Sequence, residues 1–238
     1  MTAGGDPLAA LLDRPIYSAL TTRQAHFAIG EPPALRFRPE VEPFIAAADD
    51  SPAALAALTA LVSPGEQLVM LQAKPTSIPD GLVELSCRDA VQMIATEVHP
   101  AEPPPGAVPL GEADSAEMQA LAEVTAPGPF RAETWRLGGF WGVRERGRLI
   151  AMAGERLALP GWTELSGVCT HPDARGRGLA RALSAWKLHD ISSRGEHVFL
   201  HAYANNLAAI LLYEDLGFTL RSTMAAQFVA LAPGGPRG

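Results

Sequence analysis

The chain has 238 residues, 47% of them hydrophobic and 19% charged, with a net charge of −7. Domains run to about 100–200 residues, so this is one large domain or two small ones, and the apolar content excludes wholesale disorder. No run of about 18 uncharged apolar residues exists, which excludes a spanning helix, and the start, Met1-Thr-Ala-Gly-Gly-Asp-Pro, lacks the basic and apolar regions of a secretory signal.

In chain order, Leu35-Arg-Phe-Arg38 reads as an alternating strand. Ser51 is a candidate N-cap and Pro52 a first helical residue for a helix carrying Leu55, Leu58, Leu61 and Val62, stopped by Ser63-Pro64-Gly65. Gln67 to Gln72 reads as a buried strand. Four prolines between residues 100 and 106 then mark a linker. The expected division falls there: residues 1–105 as a smaller α/β domain without a chemical motif, and residues 106–238 as the functional domain. The excess acidity lies in the first part, with 13 acids against 6 bases before residue 106 and 13 of each after it. Arg175, Arg177 and Arg181 cluster within seven positions. The cluster is enough for a small anion and too little for a nucleic acid, whose binding requires an extended basic face.

The second part reads as a short strand at 108–110, a helix over Glu112–Val124, and strands at 140–143, 149–152 and 165–170. A helix follows from about Gly176 to Ser193, then a strand at 198–200. A second helix, capped by Asn205 or Asn206, ends at Gly217. Two final strands, Phe218–Arg221 and Ala225–Leu231, are expected to pair as a hairpin. The fold class is α/β (α+β), a mixed sheet flanked by helices.

The chemistry concentrates in Val168-Cys-Thr-His-Pro-Asp-Ala-Arg175-Gly176-Arg177-Gly178-Leu179-Ala180, a strand, a loop and a glycine-rich turn that opens a helix. Unpaired amides at a helix N-terminus, at the positive end of its dipole, bind phosphate or pyrophosphate, and arginines add charge-assisted donors. A dinucleotide fingerprint would want Gly or Ala where Arg181 stands, and Gly-Lys-Ser/Thr is absent. Arg175-x-x-Gly178-x-Ala180 resembles the coenzyme A pyrophosphate loop of the GNAT superfamily of N-acetyltransferases. Asn206-x-x-Ala209-x-x-x-Tyr213-Glu214-x-x-Gly217-Phe218 is similar to that family's second signature.

The resemblance covers residues 108–231 and implies a mostly antiparallel sheet, with the first hundred residues a candidate degenerate half-copy, as in the glycine N-acyltransferase-like branch. It implies acetyl-CoA as co-substrate and a small-molecule primary amine as acceptor, without a metal. Position by position, Val168, Cys169 and Thr170 would meet the pantetheine arm. Arg175, Gly176, Arg177, Gly178, Leu179 and Ala180 would hold the pyrophosphate. Asn206 would also bind the arm, and Tyr213 would stand by the thioester sulfur. Gly167 is a candidate for a strand bulge.

An ammonium with a pKa of about 10.4 must lose a proton before it can attack. The resemblance makes Glu164 the first candidate base and Glu155 the second. Tyr213 would assist the leaving thiolate, and a main-chain N–H of Val168 or Cys169 would be the oxyanion donor. His197 and His201, about 13 Å apart on a strand, are too far apart for one metal. Cys169 and His171 read as a packed thiol and a loop histidine rather than a dyad, and Trp135, Trp141 and Trp162 as packing. With Cys87 and Cys169 allowing one bridge at most, the protein reads as cytoplasmic with reduced thiols. A non-catalytic coenzyme-binding module and an O-acyltransferase are the rival functions. The N-terminal half is expected to complete the pocket, cover it, or serve in a homodimer.

Overall fold

The computed structural model describes residues 10–233. Helix α1 (Pro15–Leu20) leads into a three-stranded antiparallel sheet of β1 (Ala28–Glu31), β2 (Ala34–Phe37) and β3 (Ile45–Ala47). Helix α2 (Pro52–Thr59) follows. The Ser51 side chain accepts a hydrogen bond from the Ala54 amide at 3.3 Å, a cap worth about 1 kcal/mol. β2 departs from the expected alternation, since all four of its residues are buried. Arg36 is tolerated there because Glu66 grips it at 2.6 and 2.9 Å and Leu61 O accepts a third bond.

β4 (Leu68–Gln72) and β5 (Leu82–Ala95) come before the proline stretch; β6 (Ala107–Leu110), α3 (Ser115–Thr125), β7 (Phe140–Glu145), β8 (Arg148–Leu159) and β9 (Trp162–Thr170) come after it. α4 (Leu179–Ser193), β10 (His197–Tyr203), α5 (Leu207–Asp215) and β11 (Phe218–Leu231) complete the order. Eight strands form one sheet in the order β4-β11-β5-β10-β9-β8-β7-β6. Within it β9 and β10 run parallel and the other described neighbours run antiparallel.

Two expectations give way here. The C-terminal segments expected to pair with each other are one strand of 14 residues, β11, irregular between Leu220 and Ser222. Its neighbours are β4 and β5. The partner that a hairpin would have supplied comes instead from β5, which matches β11 from Leu82 opposite Leu231 to Ala95 opposite Phe218. The sheet therefore runs across the proline stretch, and residue 105 does not divide it. β4 and β5 precede the prolines yet take their hydrogen bonds from strands that follow them.

The faces of the sheet are covered from different parts of the chain. On one, α4 and α5 set Leu183, Leu188, Ile191 and Tyr213 against Ile150, Leu165, Val198 and Leu200. On the other, Leu12, Ile16 and Leu20 of the N-terminal segment join Phe37 and Phe44 over Leu157, Leu159, Trp162 and Phe199. Met118 and Leu121 of α3 meet Phe140, Met152 and Cys169. Each such large apolar side chain contributes roughly 1.5–3 kcal/mol on burial.

Candidate active site

β9 and β10 pair only over Trp162–Glu164 and His197–Phe199. Beyond Glu164, β9 follows β8 as far as Thr170, while β10 follows β5 as far as Tyr203. The two strands therefore splay and leave a wedge. A bulge sets the divergence. Met152 faces Cys169 and Gly154 faces Ser166, so Gly167 and Val168 together oppose Ala153 alone. Gly167 has φ +63°, and a Cβ there would lie 2.7 Å from Phe140 Cε1; at Gly154 it would lie 2.3 Å from the same ring. The Phe140 ring thus requires glycine on both sides of the bulge.

Past Thr170, a short 3₁₀ turn at Pro172–Ala174 delivers the glycine-rich segment to α4. Gly176 and Gly178 have φ +75° and +72°, and Gly178 caps the 15-residue α4 from the left-handed region. No acceptor among the described residues takes the amides of Gly176, Arg177, Gly178, Leu179 or Ala180. They form an anion cradle at the helix N-terminus. Arg177 rests on Glu145 at 3.0 Å and Arg181 on Asp215 at 2.9 Å, both pairs exposed enough to exchange cheaply for a ligand. Arg175 has no acidic partner among the described residues.

One cavity of about 700 Å³ joins these parts. Every residue expected to bind the coenzyme lines it: Val168, Cys169 and Thr170, the turn from Arg175 to Ala180, Asn206 and Tyr213. Asn206 caps α5, its Oδ1 accepting from Ala209 N at 3.3 Å. The Thr170 hydroxyl is buried without a partner among the described residues, a polar atom waiting on a ligand. The other end of the cavity is apolar, lined by Phe44, Val69, Leu71, Ala90, Ala226 and Phe228. The residues before the proline stretch thus complete the pocket, one of the three roles open to them from sequence.

Glu164 does not line that cavity, and the base role expected for it does not suit its surroundings. It is fully buried. Arg156 Nε and Nη2 donate to its two oxygens at 2.9 and 2.6 Å, His201 Nδ1 lies 2.8 Å from Oε1, and the Leu157 amide donates to Oε2 at 3.2 Å. Burial pushes its carboxyl up, but Arg156 and then His201 overcome this and hold it at about 2. Such a carboxylate is a very weak base. Its local task is structural. Arg156 and Leu157 together face Glu164, because Glu155 pairs with Leu165 and Ala158 with Thr163. Glu164 takes both the side chain and the amide that this second bulge releases. Glu155 points to the opposite face, held by Lys187 at 2.7 Å and Arg194 at 2.9 Å, and lies off the cavity.

Tyr213 is buried on the cavity wall, and burial, with the charge of Glu164, pushes its phenol up to about 12. It stays protonated as a donor. The Cys169 thiol is pushed up to about 11 by burial, while His171 Nδ1 accepts from the Asp173 amide, so the two form no dyad. His201 binds Glu164 and His197 stacks on Trp162 at 4.8 Å. Trp135, Trp141 and Trp162 pack away from the cavity. Sequence reasoning missed Arg156, the apolar wall and Glu42, a fully buried carboxyl beside Arg156. Glu42 sits in Glu40-Val-Glu-Pro-Phe44, the segment between β2 and β3, where the sequence predicts no element.

A family model described as FR47-like protein matches residues 140–227. The solved structure of a putative acetyltransferase from the GNAT family of Novosphingobium aromaticivorans is 41% identical, the match covering 93% of this chain and 99% of that one with a TM-score of 0.88. Mycothiol acetyltransferase of Streptomyces scabiei is 33% identical over 54% of this chain and 48% of its own length. That of Mycobacteroides abscessus is 41% identical over 28% and 23%. The chain is matched to less than half the length of these curated relatives. Its match to the Novosphingobium structure is nearly end to end, and the splayed strands, glycine turn and second signature lie together on one cavity. The chain belongs to the GNAT superfamily of N-acetyltransferases.

Proposed function

We propose that this protein transfers an acetyl group from acetyl-CoA directly to the primary amine of a small molecule with an apolar body. The observation that carries this reading is the single cavity running from the amide cradle at α4, past the bulge at Gly167, to an apolar end. The diphosphate of the coenzyme would take the amides of residues 176–180, with Arg175 as a charge-assisted donor. The Thr170 hydroxyl and the β9 edge turned toward the wedge suit the polar pantetheine arm. The thioester carbonyl would then lie at the bulge, where a main-chain N–H of Val168 or Cys169 can stabilise the oxyanion.

The amine arrives as an ammonium and must first lose a proton. Its nitrogen then bonds to the carbonyl carbon, and the C–S bond breaks as the tetrahedral intermediate collapses. The second proton shed by the nitrogen ends on sulfur. Tyr213 donates a hydrogen bond to the departing thiolate. Its phenol near 12, against an ordinary thiol near 8.5, makes full proton transfer uphill by about 5 kcal/mol, so its help is electrostatic.

Free-thiol release from acetyl-CoA tests the reading, using 2-phenylethylamine and hexylamine against ethanolamine and putrescine. Turnover with the apolar amines is the expected result. Coenzyme binding by calorimetry with no thiol release from any amine would make the protein a coenzyme-binding module. A preference for polar amines would remove the apolar end from the acceptor site.

A further inference from the structure

We propose that Glu42 accepts the proton from the acceptor ammonium, through one water seated in a small cavity between Glu42, Arg156 and Ser166. The proposal rests on the acetyl-transfer reading and deepens it by naming the group that makes the amine nucleophilic.

Glu42 is fully buried; beside it stands the Thr134 hydroxyl, and neither carboxyl oxygen has a hydrogen bond of good geometry among the described residues. The neighbouring Thr134 hydroxyl gives its proton to Val41 O at 2.7 Å. Burying a carboxyl without partners is costly, so a pure packing role would be better served by an apolar residue. Beside Glu42 lies a cavity of about 10 Å³, close to the space one water occupies. Glu42, Arg156 and Ser166 line it, which gives a water the polar partners it requires. This small cavity shares Pro127, Pro129, Arg156, Ser166 and Gly167 with the large one. A water there is thus next to the bulge at which the thioester would sit.

The charged groups around Glu42 come from three elements. Arg156 on β8 and Arg131 in the segment before β7 favour its anion, and Glu164 on β9 opposes it. Burial outweighs them and pushes Glu42 up to about 8. Below that pH it holds its proton; through it, it becomes a base matched to neutral or mildly alkaline conditions. Glu164 and Arg156, already paired, cannot do this work. In the step, the ammonium N–H bond breaks and its proton moves to the water, the water passes a proton to the Glu42 carboxylate, and solvent later removes it.

The test follows acetyl transfer to 2-phenylethylamine over pH 6–10 with the full-length protein, its Glu42→Gln and Glu42→Asp variants, and Ser166→Val, which fills the water's seat. The expected loss in kcat/KM above pH 8, where Glu42 is ionised, is about a hundredfold for Glu42→Gln, with coenzyme affinity held within twofold. The break near pH 8 should vanish in Glu42→Gln and return in part in Glu42→Asp. Ser166→Val should lower the rate in the same sense, which keeps the test open if Glu42→Gln does not fold. An unchanged pH profile in Glu42→Gln, or full activity in Ser166→Val, would overturn the assignment while leaving acetyl transfer standing. A wild-type protein that releases no thiol with any amine would overturn acetyl transfer, and this proposal with it.

Discussion

Replacing Glu164 by Gln separates a structural carboxylate from a catalytic one. Glu164 is fully buried and bonded to Arg156, His201 and the Leu157 amide. Its carboxyl lies at about 2 against an ordinary 4.5, a displacement worth about 3 kcal/mol. Breaking a buried ion pair costs about 3–5 kcal/mol by a separate route, through the charge left behind on Arg156. Glu42 is close enough to Arg156 to ionise and offset part of that charge, so the lower figure, about 3 kcal/mol, is expected. Because the folded carboxyl is depressed, its stabilisation is fully present above about pH 4.5 and disappears as pH falls toward 2. Urea unfolding followed by tryptophan fluorescence should show Glu164→Gln shifted down by about 1 M or more at pH 7, for an m-value of about 2–3 kcal/mol/M. The gap between variant and wild type should close on acidification. A variant as stable as wild type whose turnover has lost an ionisation would show Glu164 to be the base and refute this account.

Three further outcomes are expected. Tyr213→Phe removes one hydrogen bond to a thiolate, worth about 1.5–3 kcal/mol. Turnover should fall roughly ten- to a hundredfold with acetyl-CoA affinity nearly unchanged, as measured by saturation kinetics and calorimetry. Gly167→Ala drives a Cβ to 2.7 Å from the Phe140 ring at φ +63°; a stability loss of about 1–3 kcal/mol in urea melts is expected, with a larger loss of rate than of coenzyme binding. Arg175→Ala should weaken acetyl-CoA binding roughly tenfold or more, in line with one charge-assisted bond, and leave CoA-free stability alone. Equal binding by calorimetry would remove Arg175 from the diphosphate site.

Local signals were sufficient for elements whose cause is local. The Ser51-Pro52 start of α2, an asparagine cap at 205 or 206 for α5 and the glycine-rich turn into α4 depend on residues a few places apart, so each is legible in the chain itself; that the helix opens at Leu179 rather than about Gly176 was not. β5 was not, because Glu84, Arg88 and Asp89 interrupt its apolar pattern; its pairing is set by β10 and β11, more than a hundred residues away. Without β5, the end of the chain reads as a hairpin, since an unpaired strand must find a neighbour. The environment of Glu164 was hidden for another reason. Its spacing resembles the family's base position, but Arg156, only eight residues away, becomes its partner through a bulge on the adjoining strand.

The order of residues by itself determined the strand–turn–helix that presents free amides to an anion and the second signature that ends in Tyr213. Both are built from backbone conformation and short-range capping. Only the tertiary structure decided which carboxylate is spent and which is available, because a carboxyl's proton affinity depends on what burial brings against it. Glu164 lost its basicity to Arg156, whereas burial outweighs the arginines near Glu42, carried in from far upstream, and holds its proton affinity up.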